Sequence, residues 1–576
     1  MFGRKPSQIS SRPLSPGFSP SRGRSFALCS AIAGCLILSA GCSSLMNKDS
    51  KRDAAKSTAD LLTVPTPPDL IRQAASPRGL HAIPIEGVGL VNALEQTGGP
   101  VDPSTFRDQL IDEMRHKDVE DPNQILELDS TAVVRVVGAI PAGARRGDPI
   151  DLKIISPEGS RATDLRGGWL LDTRLRHQQV LDQRLRQSDL MAIAMGPVLT
   201  RKTHDIGSAE ALALEGRVLG GGRIQVTRKL GLVLRPEYQH VMVSKAITAA
   251  INERFFFFDG TTRRGIAKAI EDDYIEIEVH PRYRENVYRM MAVINSIAIS
   301  PRNDSQARLE RLAGEMQDVG KAAGAALQLE AMGENAIPTL VDAAKSSNPE
   351  LRFYAAEALA YLDRIEAVEL LEQAIRSEPA FRQPAFVAMQ TMKSPMVVPA
   401  LKRLLNEPSL ETRYAALVTL RKRADGRQML SGKIHADSFR QIDVASTASP
   451  SVVVSLRENQ EICLFGNVPP LDIATFVLGP GGLVIKPDET DPGRLRISRF
   501  QTGQEDRLAV VPNSIPTLID GIVTVGGNYG DVVSVLRNAK DKGYLTAQLA
   551  FDPLPQAFRT YYRDDEAGEE AEEETE

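Results

Sequence analysis

From residue 337 to 416 the chain repeats itself with a period of about 30 residues. Ile337-Pro338-Thr339-Leu340 returns as Val368-Glu369-Leu370-Leu371 and again as Val398-Pro399-Ala400-Leu401. Arg352-x-x-Ala355 returns as Arg382-x-x-Ala385 and Arg413-x-x-Ala416, and Pro349, Pro379 and Pro408 each stand shortly before the arginine. Two short amphipathic helices fill a unit of that length. Neither buries its apolar stripe alone, so the units must stack into an array with an extended surface. The array is expected over 303–427, with 303–332 as a capping pair and Arg352, Arg382 and Arg413 as candidate surface residues of the repeats.

Either side of the array the pattern changes to short strands and turns. Ala132-Val133-Val134-Arg135-Val136-Val137-Gly138 and Ile150-Asp151-Leu152-Lys153-Ile154 read as strands joined by the turn-rich 141–148, and 274–279 alternates apolar and acidic residues. Residues 243–254 read as an amphipathic helix, with Val243, Ile247, Ala250 and Ile251 on one face. Phe255, Phe256, Phe257 and Phe258 follow it. Four consecutive Phe cannot all face one side of an element, so they are either a core corner or a candidate subunit-interface patch. After the array, 451–456, 475–478, 483–485 and 508–511 are β-like. Residues 530–542 then form a helix stopped by Gly543, with a strand beyond it. The fold class expected is α+β and multidomain, with an inserted helical array.

The amino terminus reads as an address. Arg4, Lys5, Arg12, Arg22 and Arg24 precede an uncharged stretch, 26–40, too short for an ordinary transmembrane helix. It ends in Leu38-Ser39-Ala40-Gly41-Cys42-Ser43-Ser44, which resembles a bacterial lipobox, although Ser39 stands where the commonest pattern has Leu. On that resemblance Cys42 carries a lipid, and Ser43 points to the outer membrane. Ordinary cleavage and a retained anchor are the alternatives. Cys29 and Cys35 leave with the leader, and acylation of Cys42 leaves Cys463 alone, so no disulfide framework is expected. The proline-bearing 42–80 reads as a tether. From Asp564 to Glu576 there are nine acids and no base, a solvated tail beginning at about 556.

Several stretches, in order, resemble the flagellar basal-body P-ring protein family. Gly87-Val88-Gly89-Leu90-Val91-Asn92-Ala93-Leu94-Glu95-Gln96-Thr97-Gly98-Gly99 is similar to its glycine-rich opening, and 141–151 to its "P-x-x-A-x-x-G-x-x-I-D" turn and strand. Asp164-Leu165-Arg166-Gly167-Gly168-Trp169-Leu170-Leu171 resembles "SLRGGTLL", and Met191-Ala192-Ile193-Ala194-Met195-Gly196-Pro197 resembles "YAxAQGP". Glu215-Gly216-Arg217-Val218-Leu219-Gly220-Gly221-Gly222 resembles "GRIPGGA". Little matches from 428 to 512, and 516–523 and 530–549 resemble the family's closing segments. The array resembles HEAT repeats, which that family does not ordinarily carry. The expected organisation is therefore signal peptide 1–41, tether 42–80, P-ring-like α/β domain 81–302, HEAT-like repeats 303–427, β-rich region 428–512, P-ring-like segment 513–555 and acidic tail 556–576.

Chemistry is hard to find. The seven His make no metal-binding pair at helical spacing, and no nucleophile elbow occurs. Gly220-Gly221-Gly222 lacks the Gly-Lys-Ser/Thr of a phosphate loop and reads as a tight turn, as does Gly479-Pro480-Gly481-Gly482. Glu271, Asp272 and Asp273 read as a solvated strand entry rather than a cation site. Arg263, Arg264, Arg282 and Arg284 read as surface charge, or as contacts to acidic neighbours. No catalytic residue, cofactor or metal is expected. A net charge of −5 argues against nucleic acid as a partner. The P-ring resemblance implies a non-enzymatic periplasmic homo-oligomeric ring around the flagellar rod, with rod and L-ring proteins, peptidoglycan and, through Cys42, the membrane as neighbours. The alternative is a non-flagellar envelope lipoprotein whose repeats bind a protein partner.

Overall fold

The computed structural model describes residues 64–561 except 182–183, 202–212, 301–304, 428–431, 436–437, 502, 504, 558 and 560. Cys42 and the acidic run from Asp564 lie outside the described residues. Four bodies of structure follow one another: a barrel, a small sheet with two helices, a helical block and a mixed C-terminal module.

The barrel is built from β2 (Ile83–Asn92), β3 (Ala132–Ile140), β4 (Pro149–Ile155), β5 (Trp169–Leu181), β6 (Arg184–Pro197) and β8 (Glu215–Ile224), with the short β7 (Leu199–Thr200) added on β8. The strands run β4-β3-β2-β5-β6-β8 and close because β8 also pairs antiparallel with β4. Closure removes the unpaired edges that an open sheet of this length would present. Alternation fills the interior: Val134 and Val136, Leu152 and Ile154, Leu170 and Leu175, Ala192 and Ala194 all point inward. Val88, Leu90 and Val133 point outward and bury the apolar side of α1 (Thr105–Arg115) through Leu110, Ile111 and Met114.

The glycine-rich opening is a barrel strand, and its composition has a steric cause. A Cβ on Gly87 would lie 2.3 Å from the Arg174 carbonyl oxygen, and one on Gly89 would lie 2.3 Å from Thr173 Oγ1, where β5 crosses with a register shift. Gly220-Gly221-Gly222 is not the expected tight turn. It lies inside β8 at a bulge against β4, with Gly220 at φ +57°.

The small sheet orders β1 (Ala75–Arg78), β9 (Leu230–Leu234), β13 (Tyr274–Ile277) and β12 (Ala267–Ala269). It shares a core with α2 (Val241–Arg254) and α3 (Val287–Asn295). β1 corrects the expectation that 42–80 is wholly tether. Leu70, Ile71 and Ala74 are buried, and Leu70 bridges to Ala298, so the folded body has begun by Leu70.

The helical block comprises α4 (Ser305–Glu315), α5 (Val319–Met332), α6 (Ile337–Ala343), α7 (Pro349–Tyr361), α8 (Ala367–Ser377), α9 (Pro379–Thr391), α10 (Val397–Leu404) and α11 (Leu410–Lys422). From α4 to α9 each helix packs on the next, α10 packs on α8 and α11, and α5, α7, α9 and α11 also stack on one another in turn. The repeated prolines start helices: Pro349 and Pro379 are first residues, and Asn348 caps α7 by accepting from Glu350 N and Leu351 N.

In the C-terminal module the sheet β14 (Lys433–His435), β15 (Phe439–Val444), β17 (Glu461–Phe465), β16 (Ser451–Val454) and β22 (Gln548–Phe551) has helices on both faces. Val453, Cys463 and Phe465 belong to the core of the helical block, while Val452, Val454, Ile462 and Leu464 face α12 (Ile515–Thr524) and α13 (Tyr529–Asp541). Burial on both faces explains why these strands read as continuous apolar runs. A second sheet, β18 (Val477–Leu478), β19 (Leu483–Pro487), β20 (Arg494–Arg499) and β21 (Arg507–Pro512), is an antiparallel meander with one face on α12 and α13. Gly479-Pro480-Gly481-Gly482 is the β18–β19 turn.

The barrel meets this module at the bulge. Asp151 Oδ1 accepts from Gly220 N at 2.6 Å and from Glu458 N at 2.9 Å, so one carboxylate joins two strands of the barrel to the β16–β17 loop. A Cβ on Gly220 would lie 2.2 Å from the Glu458 carbonyl oxygen. Gly220→Ala is therefore expected to cost about 2–4 kcal/mol in equilibrium unfolding, from strain and a broken contact together. Gly147→Ala, at φ +90° but with open space around it, is expected to cost only about 1 kcal/mol. Equal losses would contradict this reading of the joint.

Candidate assembly site

Among the described residues no group of three or more His, Cys, Asp or Glu is placed to hold a metal ion, and no helix is long and apolar enough to cross a membrane. A crevice of about 530 Å³ separates α1 from the β5–β6 hairpin, with Asp108, Asp112 and Glu113 on one wall and Arg174 and Arg176 on the other. Glu113 and Arg174 pair across it at 3.6 Å.

The firmest joint lies between the small sheet and the helical block. Glu330 of α5 has no exposed surface. Its Oε1 accepts from the Tyr283 hydroxyl at 2.6 Å and its Oε2 from Arg289 Nη2 at 2.6 Å. Arg289 also reaches Glu357 of α7 at 2.5 Å and lies 4.6 Å from the ring centroid of Tyr361, which stacks on Tyr283. Burial opposes the charge on Arg289, but Glu330 and Glu357 override it and hold the guanidinium pKa above its ordinary value. Arg254 adds a bond to the Glu330 carbonyl oxygen, and Asn286 Nδ2 donates to the Tyr361 hydroxyl at 3.2 Å. One arginine thus orients two helices of the block against α3.

The far side of the block is joined to the central sheet. Arg421 forms an ion pair with Glu461, and Arg413 donates to the Ser449 carbonyl oxygen at 2.8 Å and to Ser451 Oγ at 3.1 Å. Arg413 has no exposed surface, so it is not a repeat-surface residue. Arg382 is also turned inward, donating to the Ile375 carbonyl oxygen, and Arg352 fastens the α6–α7 loop through the Ser346 carbonyl oxygen. The repeated arginines hold helices and loops together. Sequence periodicity located them correctly but gave no indication of which face they occupy. Cys463 is buried among these groups, and burial pushes its thiol pKa up.

The four phenylalanines separate by depth. Phe255 ends α2 in the core, edge-on to Tyr283 and His280, so it does not belong to a surface patch. Phe256 and Phe257 are half-buried in β10 (Phe256–Asp259), and Phe258 is 65% exposed. β10 pairs with β11 (Thr262–Gly265). Arg263 of β11 covers the Phe256 ring at 3.9 Å while donating to the last carbonyl oxygens of α2. Arg264 pairs with Glu278 at 2.6 Å, and Arg282 and Arg284 pair with Asp363 and Asp148. Their partners are acidic neighbours within the chain. Glu271, Asp272 and Asp273 form the β12–β13 turn.

The residues missed from the sequence are Arg289, Glu330, Glu357 and Tyr283. Two glutamates inside the apolar helices Val319–Met332 and Pro349–Tyr361 were the available signal, since an acid on a buried stripe requires a partner.

The barrel has its ends joined by the β4–β8 pairing and an interior given over to packing. Residues 70–312 match the sequence model of the family described as "Flagellar P-ring protein". The flagellar P-ring protein of Nitrosospira multiformis is 27% identical over 248 residues, covering 42% of this chain and 62% of that protein. That of Yersinia pseudotuberculosis is 27% identical over 258 residues, 42% of this chain and 63% of the relative, and that of Methylobacillus flagellatus is 26% identical over 203 residues, 34% and 54%. The chain thus spans about three-fifths or less of the length of these relatives. Over residues 70–312 the chain is similar to flagellar P-ring proteins.

Two substitutions test the joint. Arg289→Met leaves buried carboxylates unpaired and is expected to lower unfolding free energy by about 3–5 kcal/mol, with Arg289→Met/Glu330→Gln recovering part of that loss; additive losses would contradict the pairing. His280 gives a pH dependence. Burial lowers its pKa to about 4, and its neutral ring accepts from Arg282 N at Nδ1 and donates from Nε2 to the Phe256 carbonyl oxygen at 3.1 Å. The unfolded chain takes up this proton first, near pH 6.5, so stability is full above that and falls as pH drops towards 4. The contribution is on the order of 2 kcal/mol after discounting for partial exposure. In urea titrations between pH 4 and 7, His280→Gln is expected to flatten that slope, and an unchanged slope would assign it elsewhere.

Proposed function

We propose that this chain is a structural, non-enzymatic subunit of the bacterial flagellar basal body, P-ring-like, assembling head to tail into a periplasmic ring around the rod. The observation that carries the reading is that the family match over 70–312 takes in the whole closed barrel and the small sheet behind it. A bushing needs rigid repeated subunits and no reactive group. Head-to-tail contacts with a closing rotation supply a ring. Rod and L-ring proteins, and peptidoglycan, are the neighbours such a ring meets. The exposed Phe258 is a contact residue between subunits, with Phe256 and Phe257 behind it.

The helical block is a HEAT-like array serving as internal framework, and the division into a body to 302, an array over 303–427, a β-rich region over 428–512 and a closing segment over 513–555 follows this reading. The array spends one face on α3 and the other end on the central sheet, which leaves a free scaffold with less surface for a separate partner. The lipidated Cys42 and its tether link the ring to the outer membrane. A strain lacking the chain is expected to lose motility and to yield basal bodies without the ring; a motile strain with complete basal bodies would overturn the proposal. Cys42→Ala is expected to release the protein from the membrane fraction, and unchanged fractionation would remove the anchor.

A further inference from the structure

The crevice between α1 and the β5–β6 hairpin takes no part in joining the bodies of the chain. Its volume, about 530 Å³, falls in the range of small-ligand sites. Its walls carry opposite charge because of how each element is buried. α1 turns Leu110, Ile111 and Met114 onto the barrel, which leaves Asp108, Asp112 and Glu113 along the crevice at helical spacing. On β5, Leu175 points into the barrel. Its neighbours Arg174 and Arg176 therefore stand on the outer wall, about 6.7 Å apart, and line the other side of the crevice.

The charges do not cancel across the gap. Glu113 and Arg174 meet at 3.6 Å, and Lys117 donates to the Asp172 carbonyl oxygen at 3.0 Å, which pins the end of α1 to β5. Elsewhere the walls stay apart. Among the described residues Asp108 has no ion pair, Asp112 pairs only with Arg115 of its own helix at 3.6 Å, and Arg176 gives Nη1 to the Ser188 carbonyl oxygen. α1 is held on Val88, Leu90 and Val133 and the hairpin is held by the barrel, so neither wall is free to close on the other.

That arrangement selects a ligand. Acids on one wall repel a phosphate group, and arginines on the other repel a lone cation. No Phe, Tyr, Trp or aliphatic residue lines the crevice, so neither a sugar face nor a lipid chain has a surface to rest on. One molecule bearing both charges satisfies both walls. We propose that the crevice binds a zwitterionic peptide, its ammonium at Asp108 and Asp112 and its carboxylate at Arg176. Gln109 and Gln187 add amides for the peptide groups between.

Strength bears on where such a peptide comes from. Exposed ion pairs contribute only about two- to five-fold each to affinity, so one crevice holds a free peptide weakly. A ring of copies against a polymer bearing such peptides at intervals engages many crevices at once, and linkage multiplies weak contacts by about 10²–10⁴. The peptide stems of the wall polymer have this character. The inference thus rests on the ring reading and gives its wall contact a site; a soluble peptide is the other source of the same chemistry.

The test is an NMR titration of the tripeptide L-Ala-γ-D-Glu-meso-diaminopimelate with the mature full-length chain. Binding is expected. Asp108→Asn/Asp112→Asn is expected to weaken it about four- to twenty-five-fold and Arg176→Gln about two- to five-fold, both at the wild-type thermal midpoint. Acetylating the amines of the tripeptide, or esterifying its carboxylates, is expected to weaken binding likewise with the protein unaltered. No binding by wild type, or equal binding by either variant or by the blocked peptides, overturns the inference. Cosedimentation with isolated wall sacculi separates the sources. Pelleting lost with the Asn variant, and with sacculi stripped of their stems by an amidase, assigns the site to the polymer; tripeptide binding with unaltered pelleting assigns it to a soluble peptide. Complete rings from a chain that binds no tripeptide defeat the inference alone, and a motile deletion strain with tripeptide binding intact defeats the ring reading alone.

Discussion

Glu330 has no contact with water, and its two oxygens are taken by Tyr283 and Arg289. A carboxylate so placed tolerates one geometry. Moving α5 by an ångström relative to α3 would strand a charge in the protein interior, at a cost of several kcal/mol. The same arginine extends to Glu357, which fixes α7 as well. The helical block is therefore registered against the small sheet, and its apolar core runs on without a break into the central sheet of the C-terminal module. A stacked array of this kind usually offers its faces to partners. Here the faces hold the chain's own ends in position.

The barrel is held by a different device. Its strands approach so closely that Cβ atoms are excluded at Gly87 and Gly89, and the bulge at Gly220 brings a backbone N–H onto Asp151. That carboxylate also receives Glu458 N from the C-terminal module. At the other junction of barrel and module, Arg499 lies 3.6 Å from both Glu95 and Asp531, and burial raises the Asp531 pKa. The motifs that resemble the P-ring family are thus steric and hydrogen-bonding requirements of one closed sheet and its attachments. Bodies joined at several charged points keep fixed relations to one another, as the proposed ring requires.

Much of this was legible in advance. The period of the array, the helix at 243–254 and the strands at 132–138, 150–154 and 274–279 follow from spacing of apolar residues, and α2, β3, β4 and β13 lie there. Three features were not legible. A triple glycine reads as a turn because nothing local distinguishes a bulge inside a strand. The arginine of each repeat reads as surface because periodicity reports recurrence and not depth, and Arg413 is buried only because a sheet distant in sequence covers it. Closure of the barrel was invisible because it is a pairing of β4 with β8, strands separated by three others.

The account stands or falls on whether the helical block is a fixed part of the subunit. Electron cryomicroscopy of rings assembled from the mature protein measures this directly. The account predicts density for α5, α7, α9 and α11 at one orientation against the barrel, resolved as well as the barrel itself, with Arg289 between Glu330 and Glu357. Rings with a well-resolved barrel and smeared or variably placed density for the helical block would contradict it.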